Sequence, residues 1–260
     1  MPDFTVVDDL QLMTGIDIPV EGIGITIRQP TVKDISMLGE TKYFIALQLF
    51  TMTKEELHIE SPEVTNWFIL NETLKQKIDG VRDTKTLILN FMQLFFKSKI
   101  NFGPRSLILM TNEGITNIEP EDFDNIQYVI GRVGGKSLLV PAEKAYKPLN
   151  KRAAQIAEKM KKSQKKLAEV KAREGKAPEH TGEGFVARYM KTVAIGTSNS
   201  LEQINAMTLY QLNTLMQSYL SWEAYDIEVK SRLAGAKGDK DLVHWTMRDY
   251  EKDNSSIGRI

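Results

Sequence analysis

The sequence predicts an α+β first half, with small antiparallel strands plus helices, followed by an all-α second half, so that the chain is mostly helical overall. Three observations carry this. Short apolar runs bounded by Gly and Pro cluster in the first 120 residues, as half-buried strands require. Apolar side chains at i, i+3 and i+4 dominate from Phe185 onward. The charge balance reverses midway: residues 1–145 hold 14 Lys/Arg against 20 Asp/Glu, and residues 146–260 hold 20 against 14. The expected division is an α+β domain over 1–145 and a helical domain over 146–260. The second would carry a long basic helix (about 150–174) and an aromatic-rich helical hairpin (about 200–251).

Taken in order, Ile16–Val20 and Ile23–Arg28 flank Glu21-Gly22 and predict a hairpin. Gln29-Pro30 ends its second strand, because the residue before proline is pushed to extended geometry. A helix follows from Thr31 with Asp34 in its first turn, Gly39 breaks it, and a second helix runs to about Phe50. Thr53 with Glu56 has capping-box spacing, and Ser61-Pro62 predicts a helix start. Asp83–Ser98 reads as one apolar helix. Strands at 99–102, 107–111 and 115–118 form a meander, and Glu119-Pro120-Glu121-Asp122 opens a helix that runs to about Val133.

In the second half, Ala153, Ile156, Met160, Leu167 and Val170 make a narrow seam on an otherwise charged helix. Gly175–Gly184 reads as a flexible segment. Phe185–Ile195 is a short amphipathic helix, Thr197–Ser200 a loop, and Ser200 with Gln203 a capping box. Thr208 with Gln211 is another, opening a long helix that Gly235 stops. A further helix is expected from about Asp239 through Trp245 to Tyr250.

Composition bounds the function. The chain has 260 residues, 42% of them hydrophobic, enough for a sizeable core. It has no cysteine, which excludes disulfides, thiolate metal sites and cysteine nucleophiles. No apolar run reaches the roughly 18 residues of a membrane span, and the acidic N-terminus does not read as a secretory signal.

Catalytic motifs were sought along the chain. Gly131-Arg-Val-Gly-Gly-Lys136-Ser137 has three residues before its Gly-Lys-Ser where a phosphate loop needs four, and a glycine pair ending a helix explains it better. His58, His180 and His244 have no metal-ligand partner at helical spacing. Glu119, Glu121, Asp122 and Asp124 cluster, but lack calcium-loop spacing and read as acidic residues at a helix N-terminus. The basic stretch 151–176 holds 10 basic and 3 acidic side chains. It has no aromatic stacking platform, so nucleic acid is not its expected partner. No cofactor is implied, and the expectation is a protein that is not an enzyme.

The aromatic run 207–227 has two overlapping readings, core packing and a groove that receives a partner helix. The candidate contact residues are Leu212, Met216, Tyr219, Trp222, Tyr225 and Trp245.

Several of these stretches carry a resemblance: TLYQL at 208–212, SYLSWEAYDI at 218–227, RLAG at 232–235, Trp245, and IRQPTVKDISMLGE at 27–40. Together they resemble the tail assembly chaperones of bacteriophages of Gram-positive hosts, over about a third of the chain. The resemblance implies a non-catalytic chaperone in the host cell cytoplasm. It would bind the helical tape-measure protein during tail morphogenesis, help recruit the tail tube protein, and be left out of the finished tail. Such proteins can be made in short and long forms by frameshifting, and a homo-oligomer is compatible with the role. The competing expectation is a structural tail or baseplate component retained in the virion.

Overall fold

The computed structural model describes residues 5–61, 63–76, 83–103, 106–111, 114–138, 184–235, 242 and 244–247. The boundary expected near residue 145 and the long basic helix lie outside them, as does most of the helix expected after Asp239.

The described chain is mostly helical, with two small antiparallel sheets, both before residue 120. Helix α1 (Asp9–Thr14) comes first. Asp8 caps it, Gln11 returns the bond in a capping box, and Gly15 ends it at φ 71°. Strands β1 (Ile18–Val20) and β2 (Ile25–Ile27) then pair in the register Ile18↔Ile27. Alternation buries Ile18, Val20, Ile25 and Ile27 on one face.

Helix α2 (Val32–Leu38) starts at a capping box between Thr31 and Asp34, and Arg28 adds an ion pair to Asp34 at 2.5 Å. Gly39, at φ 94°, separates it from α3 (Glu40–Phe50). Helices α4 (Asn66–Lys75) and α5 (Thr84–Met92) follow. The meander is β3 (Lys99–Phe102), β4 (Leu107–Thr111) and β5 (Gly114–Ile118), paired in sequence order. Helix α6 (Pro120–Gly134) has proline in its first turn and closes on Gly135 in the left-handed region. A 3-10 turn, Lys136–Leu138, follows.

After residue 184 the regular structure is helical: α7 (Phe185–Thr197), α8 (Leu201–Ala206), α9 (Leu209–Leu233) and a 3-10 turn at Trp245–Met247. Capping boxes open both α8 and α9.

Three boundaries differ from expectation. Helix α4 begins after Thr65, whose hydroxyl accepts from Phe68 N, rather than at Ser61-Pro62. The reciprocal bonds between Thr53 and Glu56 form, but they close a turn and no helix follows. The helix expected over 83–98 ends at Met92, with tighter turns in which Leu94 N and Phe95 N donate to Phe91 O and Met92 O. Those turns release the carbonyl of Phe95 to accept from Arg28 N at 2.8 Å and bury both Phe95 and Phe96.

One hydrophobic core runs through all of this. Its centre is a chain of rings: Tyr43 to Phe91 at 5.4 Å, Phe91 to Phe95 at 4.9 Å, Phe50 to Phe123 at 5.5 Å and Trp67 to Phe123 at 5.2 Å. Edge and tilted packing of this kind adds roughly 0.5–1.5 kcal/mol per pair to the burial itself. The Tyr43 hydroxyl is fully buried and donates to Gly134 O at 3.0 Å, and burial pushes its ionisation far up. Val186, Val193, Ile204, Leu209 and Leu212 from the later helices belong to the same core.

Two contacts join the early and late segments through backbone. Thr31 and Thr208, each the N-cap of its own helix, form an isolated antiparallel bridge, and Val32 N donates to Met207 O at 2.8 Å. Elsewhere the carboxylate of Glu40 accepts from Val186 N at 3.2 Å, supplying the cap that Gly184 has no side chain to provide.

Candidate functional site

Helix α9 carries the candidate residues, and its register explains their fates. Leu212, Leu215, Met216, Tyr219 and Trp222 follow one another at spacings of three and four, which puts them on one stripe of the helix. The stripe is not uniform in depth. Leu212 is fully buried in the core, and Leu215 and Met216 pack partly buried against it. Tyr219 is half-buried, and Trp222 is 47% exposed.

At the outer end of this stripe lies a cleft of about 280 Å³. Gly196 and Thr197 of α7, Tyr219 and Trp222 of α9, and Trp245 of the last 3-10 turn line it. The rings of Tyr219 and Trp222 stand 6.1 Å apart and tilted by 36°. Sequence spacing anticipated Tyr219, Trp222 and Trp245, and the fold brings these three together. Tyr225 takes a different neighbour, the ring of His244 at 5.2 Å, and His244 in turn lies 5.9 Å from Trp245. Leu212 belongs to the core and does not line the cleft, and Met216 lies beside the core.

Gly196 was not anticipated. A Cβ built on it would fall 2.3 Å from the Tyr219 ring, so the ring lies directly on the backbone of α7. The signal in the sequence is a glycine near the end of an amphipathic helix, one that packs against a tyrosine-rich neighbour.

Polar groups at the cleft are locally satisfied. The Thr197 hydroxyl donates to Val193 O at 2.6 Å and accepts from Asn199 Nδ2 at 2.7 Å. The cleft therefore offers flat, polarisable apolar surface with a hydroxyl at its edge, a chemistry suited to apolar side chains of a partner. Apolar exposure continues along α9 at Ile227 and Leu233.

The other sequence candidates fall elsewhere. Gly134 and Gly135 end α6, and the Lys136 ammonium is held by Thr51 O at 2.6 Å and Glu56 Oε1 at 2.8 Å. The stretch 131–137 thus closes a helix, whereas a phosphate loop opens one. Glu121 and Asp122 lie in the first turn of α6, as acidic residues at a helix N-terminus do. Among the described residues no group of three or more His, Asp or Glu side chains could hold a metal ion. His58 is exposed, with φ 54°, and His180 lies outside the described residues. No helix among the described residues is long and apolar enough to cross a membrane. No family model matches this chain, and no curated protein and no solved structure matches it.

Proposed function

We propose that this chain is a non-catalytic binding protein of bacteriophage tail assembly, a chaperone that covers apolar stripes of the helical tape-measure protein in the host cytoplasm. The observation that carries the reading is the Tyr219–Trp222–Trp245 cleft, continued along α9 by exposed Ile227 and Leu233. A long helical client exposes apolar stripes before it is enclosed, and an aromatic cleft on a long helix can cover them. The resemblance of 27–40, 208–227 and 232–235 to tail assembly chaperones supplies the biological setting. Hand-over of the client to the tail tube protein follows from that setting.

The test is co-expression with the longest helical tail protein of the same phage. The client is expected to stay soluble and to co-purify with the native chain, and to be lost with Trp222→Ala that retains its helicity and melting temperature. A client equally soluble alone would overturn the proposal. Recovery of this chain at fixed stoichiometry from mature particles would replace it with the structural tail or baseplate role.

A further inference from the structure

We propose that the cavity between α6 and residues 51–56 binds a small alkylammonium group through the carboxylates of Asp124 and Glu55. The cavity has a volume of about 510 Å³ and mostly apolar walls, with Tyr128 at its side and Gly131 at its floor. It is separate from the aromatic cleft, and the proposal does not rest on the client-binding reading.

Asp124 is held in place from behind. Asn66 is buried, and its carbonyl oxygen accepts from Lys54 N at 2.9 Å, which leaves its amide to donate to Asp124 Oδ1 at 3.0 Å. A buried amide with both ends fixed orients the carboxylate it touches. Gln127 is fixed in the same way, donating to Phe50 O at 2.9 Å and Met52 O at 3.0 Å.

The charges around the cavity are unequally matched. Lys136 pairs with Glu56 at 2.8 Å, and Arg132 pairs with Asp9 at 3.0 Å, so both lining cations already have carboxylate partners. Asp124 and Glu55 have no ion pair among the described residues. Lys54 acts on Asp124 only through space. Burial pushes the Asp124 carboxyl above the usual range, and the charge of Glu55 pushes it the same way, against the bond from Asn66. Two carboxylates on an apolar cavity without a counter-ion are complementary to a cation.

Size and lining decide which cation. The described residues offer no third ligand for a metal ion. A cavity in the few-hundred-Å³ range suits an organic ligand. Apolar walls accept methylene groups, and the face of Tyr128 suits an ammonium head. The group can come from a free amine or from a lysine side chain of a bound polypeptide.

The experiment is calorimetric titration of the full chain with n-butylammonium, 1,4-diaminobutane, Nα-acetyl-lysine methylamide and, as neutral control, n-butanol. Butylammonium is expected to saturate one site and to bind at least about tenfold more tightly than butanol. Asp124→Asn, which keeps the acceptor for Asn66, is expected to weaken it by about tenfold or more, and Glu55→Gln by less. Gly131→Ala narrows the floor without a clash, since its Cβ would stand 3.6 Å from Thr51 and Lys136, and is expected to weaken the amine also. Equal binding of the lysine derivative and butylammonium points to a polypeptide source. Tighter binding of the diamine, with exclusion of the lysine derivative, points to a free amine. Failure of butylammonium to saturate, parity with butanol, or unchanged binding in folded Asp124→Asn or Gly131→Ala overturns the proposal.

Discussion

The ring of Tyr219 lies against the backbone of Gly196, so close that a methyl group on the glycine would stand 2.3 Å from the ring. The aromatic cleft exists because one side chain is missing from α7. Gly196→Ala is therefore expected to displace Tyr219 and to lower stability by about 1–3 kcal/mol, the usual cost of overpacking. In a Tyr219→Ala background the same substitution should cost much less. A double-mutant cycle by urea denaturation measures the coupling, and additivity of the two changes would exclude the contact.

Two glycines of α6, three positions apart, should respond in opposite directions. A Cβ on Gly131 would meet its neighbours at 3.6 Å, an ordinary contact, whereas one on Gly134 would stand 2.8 Å from Leu47 Cδ1 and 3.3 Å from the Tyr43 hydroxyl. Gly131→Ala is expected to stabilise by up to about 1 kcal/mol through helix propensity. Gly134→Ala is expected to destabilise, because Tyr43 and Leu47 are fully buried and have little room to move. Thermal melting of the two variants side by side decides this, and shifts of the same sign would refute it.

Depth along α9 separates core from surface. Leu212 is fully buried, so Leu212→Ala is expected to cost about 2–5 kcal/mol. Trp222 is nearly half exposed, and Trp222→Ala should cost clearly less while removing most of the cleft's ring surface. Chemical denaturation reports the first effect, and client co-purification the second. A Trp222→Ala variant as unstable as Leu212→Ala would place Trp222 in the core.

The pH response of Asp124 has a definite sign. Burial, the largest cause, raises its folded-state ionisation above that of the unfolded chain. A raised group contributes stability that is present at low pH and lost as pH rises through the folded value. Asp124→Asn removes that loss. Relative to the native chain it should gain stability as pH rises from about 3 to 7, by under about 1 kcal/mol because solvent screens a half-exposed carboxylate. A difference independent of pH would show that Asp124 ionises as in the unfolded chain.

Gly175–Gly184 is the expected site of first proteolytic cleavage, from its glycine and proline content. Val186, Val193, Ile204, Leu209 and Leu212 belong to the same core as Tyr43 and Phe91. The two fragments should therefore remain together in gel filtration after cleavage and part only in denaturant. First cleavage inside 209–233, or fragments that separate under native conditions, would contradict this.

What could be read in advance was mostly local chemistry. The capping boxes at Ser200–Gln203 and Thr208–Gln211 mark helix starts because both partners lie within one turn. The meander followed from glycine and proline punctuation. Failures occurred where a distant partner decides. The Thr53–Glu56 pair has the same local bonds as a helix start, yet the chain turns away. The Asp8–Gln11 box was passed over because α1 has only six residues, too few for a clear apolar period. In the cleft, helical spacing aligned Tyr219 and Trp222, but only packing of α7 against α9 could assign Gly196 and send Leu212 inward.

The bridge between Thr31 and Thr208 also sets a clock. A ribosome adding roughly 5–20 residues per second needs on the order of 10–35 seconds to travel from one threonine to the other. Throughout that interval the nascent first half has no Leu209 or Leu212 to close its core. Its apolar faces stay open to the solvent and to host chaperones during synthesis. The native arrangement can assemble only after nearly four-fifths of the chain has emerged, so its folding is a late, long-range closure rather than a progressive accretion from the N-terminus.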